Sequence, residues 1–586
     1  MCQNAENKTL CHEILNPVKD ATDPNEFIAA VVKAATESVI KALNMSDRLT
    51  VEKGSNSPGI KMSLDDCKDL LQSALHSLEA STSLVEQNNI KALHDQSADF
   101  RNWLGAVISY QQTCLDNFNE TDVEGEKAIK DQLNAESLDE IMKVTGVALD
   151  LAADLDRILE QFNLRLDVHP GSRRLLALDV DQQGLPTWLS ESDRELLAKV
   201  DLHLARRDLG SKKVGNGKGG KGKGKGKGKG KGKAMAAGAA AGATAGAAAV
   251  TFSPGSIEPV TPGPAHVVVA QDGSGRFKTI TEAINSYPAG FKGRYVIYVK
   301  AGIYNEFIII PKTAVNILMY GDGPTRTIVT GRKNFAEGVK TMHTSTFANT
   351  ADGFIAKGMR FENTAGPKGH QAVALRNQGD KSAFFQCHIF GNQDTLYVQT
   401  NRQFFRDCEI SGTIDFIFGT SATLIQNCKI IIRKPDPKQS NTVTADGTTQ
   451  VNMPTGIVLQ NCEIVPEPAL FPDRFTIKSY LGRPWKPYSK TVIMESMISD
   501  AIHSDGWFPW AGTVHLDTLY YAEFANTGPS SNVQGRIKWK GYQGLISKDV
   551  AARYTAGRFL GAGPTSNAEQ WLGATGLPFT IGFTKA

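Results

Sequence analysis

Four short motifs, FFQCHI, FFRDCEI, LIQNCKI and LQNCEI, place cysteines at 387, 408, 428 and 462, at intervals of 21, 20 and 34 residues. Each motif reads as one short strand, and no long helical pattern separates it from the next. In-phase repetition at this period is the mark of a chain coiled on itself, the longer interval being a coil with a larger loop. Barrels and open sheets of the βαβ kind need a long helix between parallel strands instead. The repeat therefore predicts an all-β right-handed parallel β-helix. From residue 264 onward, runs such as YVIYVKAG, NEFIIIP and VNILMYGDG are broken by glycine and asparagine, and helical patterning is scarce apart from TITEAINSY.

Phase carries chemistry with it. In CHIFGNQDTLY and CEISGTIDFIF the pairs Cys387/Cys408, Ile389/Ile410, Gly391/Gly412 and Asp394/Asp415 recur at equal offsets. Residues at one phase of adjacent coils stack about 4.8 Å apart. The cysteine column then permits a disulfide between Cys408 and Cys428, or between Cys387 and Cys408. Asp394 and Asp415 become neighbours. Two carboxyls so placed cannot both ionise cheaply, which gives one site an acid and a base or nucleophile. Leu396, Phe416 and Phe418 would strengthen the effect if they line it.

The pair alone does not choose a reaction, since a retaining glycosidase also holds two carboxyls close together. An ester hydrolase needs oxyanion donors as well. Gln393, beside Asp394, and Gln371 in HQAVALR, about one coil earlier, are candidates. In YLGRPWKPYSK, Arg483 can keep a carboxylate ionised through a forked hydrogen bond, and Trp485 offers a flat face for a sugar ring. The chain has no GxSxG elbow, no phosphate-loop motif and no histidine pair with metal-ligand spacing.

The rest of the 586 residues divides by texture. Residues 1–165 space apolar side chains three and four apart in EFIAAVVKAATESVIKAL and CKDLLQSALHSLEAS, which predicts an all-α four-helix bundle. Cys2 with Cys11 can close an N-terminal hairpin there, and Cys67 with Cys114 can tie two helices. Residues 166–263 read as linker. It contains SRRLLALD, with Arg173, Arg174, Leu175 and Leu176, then DRELL, an alternating glycine–lysine block and an alanine–glycine block. Both blocks are expected to be disordered. Ten lysines lie between Lys212 and Lys233, so the net charge of +3 becomes −7 without them. Nucleic-acid binding would rest on that block alone. No apolar run reaches the eighteen residues a membrane span requires. Eight cysteines without a CxxC pair, and sequons at Asn7, Asn44 and Asn119, fit an oxidising, secreted setting.

GNQDTLY, GTIDFIFG, HQAVAL and LGRPW, in this order and spacing, together with VAQDGSGRFKTITEAI and TVTADG, resemble plant pectin methylesterases over residues 265–586. The N-terminal region is similar to the invertase and pectin methylesterase inhibitor family, through its four cysteines and WLGAVISYQQTCLDNF. The resemblance implies a secreted cell-wall enzyme precursor whose substrate is methyl-esterified homogalacturonan. It further implies an RRLL-type site cut by a subtilase-type protease, inhibition by pectin methylesterase inhibitor proteins, and no metal or organic cofactor.

Carried over by residue, it implies Asp415 as nucleophile, Asp394 as general acid and then base, and Gln393 with Gln371 stabilising the oxyanion. Arg483 would hold Asp415. Thr341, Trp485, Tyr397 and Phe418 would contact substrate, and Cys408–Cys428 would be the family's disulfide. The chain departs from the pattern at Asn392, where tyrosine is usual, and at Ile414, where valine is commoner. The competing readings are a pectin-active glycoside hydrolase or lyase on the same fold, and a binding protein whose β-helix is catalytically dead.

Overall fold

The computed structural model describes residues 1–54, 57–87, 89–118, 125–162, 264–561 and 568–585. Arg173, Arg174, Leu175, Leu176, the DRELL segment, both low-complexity blocks and the Asn119 sequon lie outside them. No helix among the described residues is long and apolar enough to cross a membrane.

From residue 264 onward, parallel sheets of eleven, seven and eight strands wrap one core, each strand pairing with its counterpart in the next coil. One coil runs through Ser382–Phe385, His388–Phe390 and Leu396–Val398. The next repeats it as Arg402–Arg406, Glu409–Gly412 and Ile417–Gly419. This is the expected parallel β-helix. Corners are turned by single residues with left-handed backbone, Gln386, Asp394, Asn401, Asp407 and Asp415, at φ from 49° to 64°. Aspartate and asparagine are among the few non-glycine residues that adopt this region readily. Ladders of like residues fill the interior. Ile389, Ile410, Ile430, Ile464 and Ile498 share one register line and are all buried. Each contributes about 1.5–3 kcal/mol of apolar burial.

The cysteine column forms, but its disulfide does not. Cys387, Cys408, Cys428 and Cys462 are free buried thiols. The Cys387 N–H donates to Cys408 Sγ at 3.4 Å and the Cys408 N–H to Cys428 Sγ at 3.2 Å. Each of these sulfurs also faces a carbonyl, Cys408 Sγ that of Arg406 at 3.3 Å and Cys428 Sγ that of Gln426 at 3.4 Å. Neighbouring sulfurs along the column are hydrogen-bond partners of one another as well as of the backbone, as thiols and not as a bonded pair. The pairing expected for Cys408 and Cys428 is thereby corrected.

The N-terminal region is all-α, with more helices than the four of the expected bundle. Four long helices, Pro24–Lys53, Pro58–Glu86, Ser97–Asn117 and Asp139–Ala153, share one apolar core. Shorter ones at Lys8–Leu15, Ile90–Asp95, Glu126–Leu133 and Leu155–Gln161 flank them. The first two long helices begin at a proline behind a capping side chain. Asp23 accepts from the Asn25 N–H at 2.9 Å, and Ser57 accepts from the Ile60 N–H at 3.4 Å. Disulfides join Cys2 to Cys11 and Cys67 to Cys114, the latter tying Pro58–Glu86 to Ser97–Asn117.

Candidate active site

Strands on either side of the Asp394 and Asp415 corners pair at a constant offset. Phe390 lies opposite Ser411, and Leu396 opposite Ile417. The two aspartates therefore occupy the same position on adjacent coils, and the Asp394 N–H donates to the Ile414 carbonyl at 3.0 Å. Both are nearly buried, at 8% and 5% exposure, yet both line a cleft of ≈ 470 Å³. Gln371 and Gln393 line it too, and they form a parallel bridge between the coil of Asp394 and the one before it.

Arg483 enters from the end of strand Ser479–Gly482 and forks onto Asp415. Its Nε donates at 2.8 Å to Oδ1 and its Nη2 at 2.5 Å to Oδ2. Burial alone would depress the guanidinium's pKa, but Asp415 and, less strongly, Asp394 push it above its usual value. Arg483 is thus fixed as a cation that feels both acids. The same residue lies under Trp510, 4.4 Å from the ring centroid.

Thr442, at the start of the TVTADG segment, supplies Asp415 with two further contacts. Its hydroxyl donates to Asp415 Oδ1 at 2.7 Å and accepts the Asp415 N–H at 2.9 Å. Sequence reasoning singled out neither Thr442 nor Trp510. The coil of Thr442 opens with LIQNCKI but carries no aspartate at the Asp394/Asp415 phase, and Trp510 follows the last cysteine motif, so no repeat marks either.

Aromatic side chains make the floor. Tyr397 and Phe418 stack at 4.4 Å and 11°, and Phe418 meets Trp485 edge-on at 6.1 Å. Alternation along the strands decides which residues face the cleft. Tyr397 and Phe418 point outward, whereas Leu396 and Phe416 are fully buried in the β-helix core. Of the three apolar neighbours weighed for the site, Phe418 lines it and Leu396 and Phe416 do not. Gly447 leaves room for Trp485, since a Cβ there would sit 2.9 Å from the indole ring. Thr341 and Met342 close one end of the cleft, and Lys486, Pro487 and His515 the other.

The remaining wall belongs to the helical region. Asp116 and Asn117, from the last turn of Ser97–Asn117, line the same cleft as the two catalytic candidates. Lys486 Nζ meets Asp116 Oδ1 at 2.6 Å. Lys340 and Glu126, each 1% exposed, pair at 2.5 Å, and Lys340 also donates to the Asn117 carbonyl at 2.8 Å. His343 meets Asp66 at 2.8 Å, and Arg402 meets Asp99 at 2.6 Å. Around them, Asn102 bonds Asn401 at 3.0 Å and Ser109 bonds the Gln399 carbonyl at 3.0 Å, while Met453 inserts into the helical core. An inserted apolar anchor and several desolvated ion pairs make this a packed interface.

Two family profiles match the chain. That described as Pectinesterase covers residues 266–563, and that described as Plant invertase/pectin methylesterase inhibitor covers residues 1–151. Among curated relatives, the Arabidopsis thaliana protein named Probable pectinesterase/pectinesterase inhibitor 13 is 36% identical, over 100% of this chain and 82% of its own length. Pectinesterase 4 of the same plant is 35% identical, over 99% and 92%. Among solved structures, Pectin methylesterase from Carrot aligns with a TM-score of 0.53 and 46% identity, covering 55% of this chain and 99% of that one. The chain belongs to the pectinesterase family, with an inhibitor-family region ahead of its β-helix.

Proposed function

We propose that this enzyme hydrolyses the C6 methyl esters of homogalacturonan through an aspartyl acyl-enzyme. The observation that carries the reading is the pairing of Asp394 with Asp415 on adjacent coils, with Arg483 forked onto Asp415. Arg483 and Thr442 hold Asp415 as an oriented carboxylate, suited to attack the ester carbonyl carbon. The tetrahedral oxyanion that forms is stabilised by the side-chain amides of Gln393 and Gln371. Its collapse breaks the C–O bond to the methoxy group, and Asp394, as the protonated acid, gives that oxygen the proton it leaves with as methanol. Asp394, now a carboxylate, takes a proton from water as the water attacks the acyl carbon. Asp415 is released as a carboxylate and the polymer keeps a free acid. Thr341, Tyr397, Phe418 and Trp485 hold the sugar chain along the cleft.

In this reading the helical region is a regulatory cover, since its Asp116 and Asn117 stand in the cleft. A protease of the subtilase type cutting at residues 173–176 would separate the two parts. A separate inhibitor of the same family as residues 1–151 would compete for the surface thereby uncovered. The setting proposed for this chemistry is the plant cell wall, reached by secretion. Product analysis separates the esterase from a chain-cleaving enzyme on the same fold. Release of methanol without new reducing ends or unsaturated products is expected, and cleavage of the polymer without methanol would sink the proposal.

A further inference from the structure

The ion pairs between the helical region and the β-helix have a consistent polarity. Lys486 meets Asp116, Lys340 meets Glu126, His343 meets Asp66 and Arg402 meets Asp99. In each pair the β-helix supplies the cationic or protonatable side chain and the helical region the carboxylate. A uronic-acid polymer carries the same kind of group, one carboxylate on every unit that is not esterified. The pair inside the cleft is Lys486 with Asp116, as both residues line it alongside Asp394 and Asp415.

Two local features sharpen the correspondence. Asp116 sits in the last turn of its helix, where the backbone dipole disfavours an anion, so Lys486 and the Gln112 amide, 3.0 Å from Asp116 Oδ1, must offset that cost. Lys486 Nζ lies 4.9 Å from the centre of the Trp485 ring, over its face. A sugar packed on Trp485 therefore has a cation within reach of its ring substituents. Strand Ser479–Gly482 is two coils along from Ile417–Gly419, about 10 Å along the helix axis at the usual strand spacing, and Lys486 follows its end, past Arg483. Arg483 crosses that spacing to reach Asp415, whereas Lys486 pairs with Asp116, so Lys486 is assigned to a carboxylate of the polymer other than the ester being cut.

We propose that Lys486 is a binding site for a free carboxylate of the polymer, and that Asp116 of the helical region occupies it as a mimic. The proposal rests on the esterase reading of the cleft, and makes Lys486 a specificity residue for partly de-esterified chains. Its test uses the full chain in a background, Asp66→Asn/Asp116→Asn/Glu126→Gln, that removes the three cover carboxylates nearest the cleft and leaves the β-helix unaltered. Into this background go Lys486→Gln or Lys486→Arg. Binding of a de-esterified galacturonate oligomer and of its fully methyl-esterified counterpart is followed by the fluorescence of the cleft tryptophans.

Lys486→Gln should weaken the acid oligomer about tenfold, the usual worth of a charge-assisted hydrogen bond, and leave the methyl-esterified oligomer unchanged. Lys486→Arg should stay within about twofold of the background on both oligomers, because it keeps the charge. Equal affinities of the background and Lys486→Gln for the acid oligomer would overturn the proposal. So would the same loss on both oligomers, or no binding of the acid oligomer to the background. Methanol release by the background is read on the same samples, so failure of the esterase reading is seen separately.

Discussion

The two aspartates are corner residues before they are chemical groups. Asp394 and Asp415 each take the left-handed backbone that turns the chain between sheets, so a turn-forming role and the catalytic one we propose coincide in the same residues. Their proximity was legible because the repeat set their phase. The environment that separates their roles was only half legible. Arg483 stood out in LGRPW, but Thr442 reaches Asp415 from a position 27 residues later, by a contact no motif announces. Thr442→Val removes a 2.7 Å hydrogen bond to Asp415 Oδ1 and is expected to lower methanol release about tenfold, with Thr442→Ser close to wild type. Steady-state assays of the two variants check this, and an unaffected Thr442→Val would remove the residue from the site. The cysteine column makes a second residue-scale prediction. The denatured, unreduced chain should titrate four free thiols, Cys387, Cys408, Cys428 and Cys462, whereas a Cys408–Cys428 disulfide would leave two.

The coil was the most readable element, because one apolar ladder of like residues can be extrapolated from strand to strand. Short elements without a period were not readable. The helices Lys548–Ala551, Ala556–Phe559 and Ala568–Ala574 follow the last coils, and Leu560, Trp571 and Leu572 join an apolar cluster outside the main core. Four or seven residues are too few for helical periodicity to register. The helix Ser97–Asn117 was readable as a helix but not as part of the site, since its contacts lie hundreds of residues away in sequence. Its seat depends on buried charge. Glu126→Gln leaves the Lys340 ammonium in the interface without its carboxylate, and removing one partner of a buried pair costs about 3 kcal/mol or more. The open form of the cover should then rise by about a hundredfold. Faster hydrogen exchange in Ser97–Asn117 and greater methanol release from the intact chain would follow. Unchanged exchange would mean that the pair does not hold the cover.

At the scale of the whole molecule, an esterase-family β-helix and an inhibitor-family helical region are packed face to face, with the end of one helix in the cleft of the other. The sequence implied both parts through separate resemblances. It could not show which faces meet, because complementarity between two surfaces leaves no pattern within either one. Asp415, in an uncovered cleft, is the nucleophile we propose for a methyl esterase. The most direct test is methanol release from methyl-esterified homogalacturonan by residues 264–586, freed of the helical region, as wild type and as Asp415→Asn. The solved carrot enzyme aligns over 99% of its length with 55% of this chain, so a β-helix of this kind stands alone. The expected result is rapid methanol release by the wild-type fragment and, in Asp415→Asn with the fold intact, a loss of at least about a thousandfold, of the order seen when a covalent nucleophile is removed. Comparable release by the two proteins would contradict it.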